Sequence, residues 1–89
     1  MNSGSRKKPS MYGLSTCGWC AKARAWLESN AESYELVYVD LLDEPQRARV
    51  LDELRSRVPK LAFPIVLFGE ECVVGYDTGE YERLLERAG

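Results

Sequence analysis

Cys17-Gly18-Trp19-Cys20 is the stretch of this 89-residue chain whose residue types and spacing most directly carry chemistry. Two thiols three residues apart in the first turn of a helix fall within the ~4.4–6.8 Å Cα separation that a disulfide tolerates. The start of a helix also offers unpaired N–H groups and a partial positive charge, which favour a thiolate over a thiol on the leading residue. Cys17 would then attack a target disulfide from an accessible position. Cys20, inside the turn and shielded, would resolve the mixed disulfide. Two plainer readings stand beside this one, a pair of small core residues or half of a metal site. A structural zinc site needs four ligands, and the chain has three cysteines and no histidine, so no metal is expected. Without histidine there is also no Ser-His-Asp triad and no Cys-His pair, and any group titrating near neutral pH must be a perturbed cysteine, carboxylate or lysine. The third cysteine, Cys72, reads as a small apolar packing residue.

The elements that would position the pair can be traced outward from it. Ser10–Leu14 (SMYGL) is short and apolar, a first strand, and Ser15-Thr16 are residues suited to capping a helix. From about Gly18 to Asn30 the composition is helical, with Ala23, Leu27 and Ala31 four residues apart. Glu35–Asp40 (ELVYVD) is β-branched and aromatic, which predicts a central strand buried on both faces. Asp43-Glu44-Pro45 opens a second helix whose inner face is Val50, Leu51, Leu54 and Val58, and Pro59 stops it. Ile65–Phe68 and Cys72–Gly75 flank Gly69-Glu70-Glu71 as a β-hairpin. Asp77 or Thr78 caps a last helix facing inward through Tyr81, Leu84, Leu85 and Ala88. The order β-α-β-α-β-β-α makes the first two strands parallel and the last two antiparallel. It predicts an α/β fold, a four-stranded mixed sheet with three helices on its two faces.

Charge and composition narrow the setting. Lys plus Arg number 12 and Asp plus Glu 14, but Met1–Lys8 holds three positive charges and no negative ones, so the rest of the chain is at −5. That acidic body carries no footprint for nucleic acid, and residues 1–9 read as a flexible basic tail on a single domain over 10–89. No apolar run approaches the ~18–20 residues of a membrane span, and the start is too polar for a secretory signal, so no membrane is involved and a cytoplasmic location is expected. In a reducing compartment a close cysteine pair points to catalysis rather than to a structural staple.

Met11–Cys20 (MYGLSTCGWC), Phe63-Pro64 and Gly75-Tyr76-Asp77 together resemble the glutaredoxins of the thioredoxin superfamily, above all the short glutaredoxin-like proteins of prokaryotes. The likeness covers Ser10 to Ala88. It implies a thioredoxin-like fold and a monomeric dithiol–disulfide oxidoreductase that reduces disulfide-containing proteins or glutathione mixed disulfides and serves cell redox homeostasis and electron transport. No cofactor is held; glutathione or another small thiol acts as co-substrate. The resemblance further implies that Pro64 follows a cis peptide facing the cysteines and that Phe63 offers its backbone N–H and C=O to an extended substrate or to glutathione. Gly75, Asp77 and Thr78 match the region that binds the glutathione γ-glutamyl group, although Asp77 is equally suited to a plain helix cap. Gly18-Trp19 replaces the common Pro-Tyr, and Trp19 sets a flat surface beside Cys17 for packing against substrate; Trp26 is the better core candidate. Three departures stand out. Leu14 occupies the place of a lysine that contacts the glutathione glycine carboxylate, Ala62 that of a threonine, and Val74 that of the first glycine of a pair. Lys22, Arg57 or Lys60 could compensate or be solvated surface charges. The reductant therefore stays open between glutathione, another small thiol and a thioredoxin-reductase type partner. Loss of the proline after the first cysteine is associated in this family with an iron–sulfur cluster held between two protomers, so a cluster carrier using Cys17 and glutathione is the alternative.

Overall fold

A computed structural model describes residues 8–88. The expected tail lies outside the described residues over 1–7; of its remainder, Pro9 is buried and its carbonyl accepts the Glu35 N–H at 2.9 Å. The elements run β1 (Ser10–Gly13), α1 (Gly18–Asn30), β2 (Glu35–Tyr38), a 3-10 turn (Val39–Leu41), α2 (Glu44–Arg55), β3 (Ile65–Phe68), β4 (Glu71–Val74) and α3 (Thr78–Ala88). The four strands form one sheet in the order β2-β1-β3-β4. β1 and β2 are parallel, with Gly13 opposite Tyr38, while β1–β3 and β3–β4 are antiparallel. This is the predicted mixed sheet with three helices.

Side-chain alternation along the strands divides the core in two. Met11, Val66, Phe68 and Val73 face Ala23 and Leu27 of α1 and Tyr81 and Leu84 of α3. Ile65 and Leu67 face Leu54 of α2 and Val58 beyond it, with Tyr12, Cys72 and Val74 packed alongside. α1 and α3 therefore cover one face and α2 the other, the arrangement that buries both sides of a small sheet. Trp26 packs against the first cluster, its ring 5.4 Å from that of Tyr81.

Three local expectations are corrected. β2 is an edge strand, with Glu35 exposed and Leu36 to Tyr38 half-buried, and the strand is over by Val39. The strand buried on both faces is β3, all four of whose residues are buried. The antiparallel pairing of β3 with β1 puts it in the middle and leaves β2 one neighbour. Second, α2 ends at Arg55, four residues before Pro59, where the Ser56 hydroxyl donates to the Glu53 carbonyl at 2.7 Å. Its start is as expected: Asp43 caps it by accepting the Gln46 N–H at 2.9 Å, with Pro45 in the first turn. Third, Ser15 and Thr16 do not cap α1; the cap is Cys17 itself.

Candidate active site

The cysteine pair lies where β1 feeds α1. Cys17 keeps extended backbone angles (φ −92°, ψ 120°) and donates its N–H to the Leu14 carbonyl at 3.1 Å, which closes the connecting turn. Its Sγ accepts the Cys20 N–H at 3.3 Å, in the place an oxygen takes in an ordinary cap. Cys17 is half-buried, Cys20 is 1% exposed, and both thiols are free. Their acidities separate accordingly. Hydrogen bonding from the Cys20 side chain, helped by the Cys20 and Trp19 backbone N–H groups, lowers the Cys17 pKa against the opposing effect of partial burial. Burial, reinforced by the Cys17 side chain, pushes the Cys20 thiol up to about 11, and the Leu14 N–H, 3.5 Å from the Cys20 Sγ, pulls the other way.

The turn between β1 and α1 is held from outside. The Ser15 N–H donates to Asp40 Oδ1 at 2.9 Å and the Ser15 hydroxyl to Asp40 Oδ2. These bonds keep the Asp40 carboxyl below the usual carboxylate range. Inside the turn, Gly13 lies so near the pair that a Cβ there would come within 3.1 Å of Cys20 Cβ, Cys20 Sγ and Met11 Cε.

A second set of residues arrives at the same end of the sheet through strand register. Tyr12 pairs with Ile65 and Ile65 with Val74, so Pro64 and Gly75 come next to the end of β1. The Phe63–Pro64 peptide is cis and Pro64 is buried. The Pro64 carbonyl accepts the Gly75 N–H at 2.7 Å, while the Gly75 carbonyl accepts the Tyr81 hydroxyl at 2.5 Å. Gly75 has φ +98°, a conformation other residues adopt only with strain. Tyr76 then reaches Trp19, with ring centroids 5.8 Å apart, and Lys22 Nζ lies 5.6 Å from the Trp19 ring centre. Trp19 is 59% exposed, so it forms a surface shelf beside Cys17 rather than part of the core.

The glutaredoxin family model matches residues 10–73, which takes in β1 through β4 almost entire and all three cysteines. The chain belongs to the glutaredoxin family. Among relatives of that family, a glutaredoxin-like 8.6 kDa protein from the rubredoxin operon of Clostridium pasteurianum is 26% identical over 77 residues, covering 86% of this chain and 96% of the relative. Among solved structures, the Methanosarcina acetivorans methanoredoxin superposes with a TM-score of 0.83 at 33% identity, over 90% of this chain and 85% of that one. A glutaredoxin from Archaeoglobus fulgidus gives a TM-score of 0.83 at 26% identity, over 96% of this chain and 95% of the other. These matches make the protein a glutaredoxin-like redox protein with the thioredoxin-like fold.

Within this glutaredoxin fold, the residues singled out from sequence do converge. Cys17, Cys20 and Trp19 share the start of α1, and the Pro64–Gly75 and Trp19–Tyr76 contacts join them to the other two segments. Phe63 is half-buried and packs against both core clusters. Asp77 works as a cap, its Oδ1 accepting the Glu80 N–H at 3.2 Å, and Thr78 opens α3 on the exposed surface. Of the cations considered for the missing lysine, Lys22 lies over Trp19, whereas Arg57 donates to the Gly69 carbonyl at 2.8 Å, at the far end of β3. Lys60 is exposed. Cys72 packs with the α2-side cluster, on the opposite sheet face from Cys20, and its thiol donates to the Arg57 carbonyl at 3.3 Å. No helix among the described residues is long and apolar enough to cross a membrane.

Gly13, Ser15, Asp40, Tyr76 and Tyr81 also shape the site, and sequence reading gave none of them that role. A glycine inside a strand is the one available signal, since it marks close approach of another group. Ser15 and Asp40 are 25 residues apart and nothing local connects them.

Proposed function

We propose that this protein is a dithiol–disulfide oxidoreductase in which Cys17 is the nucleophile and Cys20 the resolving thiol. The unequal placement of the two sulfurs carries the reading: one caps a helix with its acidity enhanced, and the other is buried one turn below with its acidity suppressed. The Cys17 thiolate attacks one sulfur of a disulfide R–S–S–R′, forming Cys17–S–S–R and releasing R′–S⁻. Cys20 then loses its proton to water and attacks the Cys17 sulfur, so that the Cys17–Cys20 disulfide forms and R–S⁻ leaves. The substrate gains two electrons and the pair loses two. Two molecules of glutathione or another small thiol then restore the dithiol by successive exchange and leave as their own disulfide.

Substrate would lie along the edge that strand register assembles. Trp19 supplies a flat apolar surface, the cis Phe63–Pro64 segment a backbone edge for strand-like pairing, and Gly75, Asp77 and Thr78 a helix start suited to a carboxylate. Reduction of a small mixed disulfide by purified protein tests the roles of the cysteines. Cys17→Ser should abolish turnover, and Cys20→Ser should accumulate a Cys17 mixed disulfide detectable by mass. Turnover that persists in Cys17→Ser would refute the assignment. Supplying reduced glutathione, then thioredoxin reductase with NADPH, identifies the reductant.

A further inference from the structure

Asp40 is exposed and sits just past the end of β2, and its carboxylate is the outside anchor of the turn that touches both cysteines. Its two oxygens take both donors of Ser15. The preceding residue, Leu14, aims its N–H at the Cys20 Sγ (3.5 Å) and its carbonyl at the Cys17 N–H (3.1 Å). The anchor is itself fixed: Tyr38 pairs with Gly13, Val39 is buried, and the Leu42 N–H donates to the Val39 carbonyl at 3.3 Å. From α2, Arg47 adds an attractive charge and donates to the Leu42 carbonyl at 2.9 Å.

We propose that Asp40 is a positioning residue for the resolving step, latching the Leu14–Cys17 turn through Ser15 so that the Leu14 N–H stays on the Cys20 sulfur while Cys20 becomes a thiolate. The proposal rests on the dithiol reading above. A backbone N–H that bonds a thiolate favours the ionised form, and the Leu14 N–H lies 3.5 Å from the Cys20 sulfur. Asp40 has a second, opposite influence, because its negative charge disfavours a thiolate on Cys20. That charge ranks last among the influences on Cys20, behind burial, the Cys17 side chain, the Leu14 N–H and the Cys17 charge. Asp40→Asn keeps the bonds to Ser15 without the charge and so separates the two influences. The groups facing Cys20 in this balance are Cys17 and the Leu14 N–H from α1 and its turn, Asp40 from the β2 side, and Tyr81 from α3.

The test uses the aromatic disulfide 5,5′-dithiobis(2-nitrobenzoate) with the Cys72→Ala protein, whose only thiols are Cys17 and Cys20. One coloured thiolate leaves when Cys17 attacks, and a second leaves when Cys20 resolves the mixed disulfide, so stopped-flow absorbance separates the steps. Asp40→Ala should slow the second phase about tenfold and move its pH midpoint up by about one unit, the effect of losing one hydrogen bond to the thiolate. The first phase should change by less than about twofold. Asp40→Asn can still accept from the Ser15 N–H and pair with its hydroxyl without the charge, so it should restore the second phase to within about twofold. Ser15→Ala, which keeps the backbone bond, should fall between the two and serves if Asp40→Ala does not fold. A normal second phase in Asp40→Ala and Ser15→Ala, or an Asn variant as slow as the Ala variant, overturns the latch alone. A parent protein that shows no second phase overturns the dithiol reading and the latch together.

Discussion

Adding a single methyl group at Gly13 should disturb Cys20 from behind. Gly13 is buried at the end of β1, and a Cβ there would lie 3.1 Å from Cys20 Cβ, Cys20 Sγ and Met11 Cε. Carbon atoms rest comfortably at about 3.5–4.0 Å, so each neighbour would have to retreat by a few tenths of an ångström. Met11 Cε ends a flexible side chain, but Met11 is fully buried in the first core cluster. Cys20 Cβ is one bond from the backbone of α1 and moves only with the helix. The Cys20 Sγ can rotate, but doing so takes it off the Leu14 N–H.

Overpacking of this kind costs about 1–3 kcal/mol, and the stiffer unfolded chain of Ala against Gly returns about 0.4–1 kcal/mol. Gly13 has no positive φ, so no backbone strain is added. The net is a loss of roughly 1–2 kcal/mol, or about 4–16 °C in Tm for a domain of this size. Thermal unfolding by circular dichroism measures it. Part of the clash is with the sulfur, so the same substitution in a Cys20→Ala background should cost less, by at least about 0.5 kcal/mol in a double-mutant cycle. An unchanged Tm for Gly13→Ala refutes the packing argument. A cost that is the same in both backgrounds removes Cys20 from it.

Alkylation of Cys17 by iodoacetamide should rise with pH through a midpoint below the ~8.5 of a free thiol and shift upward in Cys20→Ala, because the Cys20 side chain is the largest influence lowering it; a midpoint indifferent to Cys20 would contradict this. The depressed Cys17 value adds stability that is present above the unfolded thiol value and lost as pH falls through the folded one. The raised Cys20 value adds stability that is present below the unfolded value and lost as pH climbs toward about 11. Trp19→Ala should leave stability within about 0.5 kcal/mol, since the ring is 59% exposed, yet raise KM for a peptide disulfide with little effect on iodoacetamide alkylation of Cys17. An unchanged KM would dismiss the shelf as a substrate contact.

The cysteine pair and its supports differ in how far sequence reveals them, and the reason is the range over which each is determined. Strand, turn, Cys17 and helix follow one another within a few residues, so composition and spacing place them. The hairpin at Gly69 and the cap at Asp77 are equally local. Whether ELVYVD is central or at an edge depends on which strand pairs with the far side of β1, and apolar residues read alike in either place. β3 takes that position because it runs antiparallel to β1, a tertiary fact. The Ser15–Asp40 bonds are less visible still. Both residues are exposed and polar, and Ser15 sits where a helix cap is plausible; only the parallel pairing of β1 with β2 brings Asp40 to it. Cys17 could become the cap because Sγ can accept an N–H, a use that propensity rankings centred on Ser, Thr, Asp and Asn do not anticipate.

The same network sets an order on the proposed reaction without any imidazole. While Cys17 is a thiolate, both its hydrogen bond with Cys20 and its charge hold the Cys20 proton in place, and the Cys20 side chain in turn supports the Cys17 thiolate. The resting pair therefore has one nucleophile, not two. Once Cys17 is consumed in a mixed disulfide it carries no charge and no longer accepts the Cys20 proton as a thiolate would. Two of the influences raising Cys20 then vanish together. Burial and the Asp40 charge remain, opposed by the Leu14 N–H, so Cys20 gains acidity at the moment its attack is required. A pair tuned in this way keeps Cys20 protonated until Cys17 has reacted, with no further titrating group. It needs the turn that carries Leu14 to stay in place through both steps, which is the constraint that Ser15 and Asp40 supply.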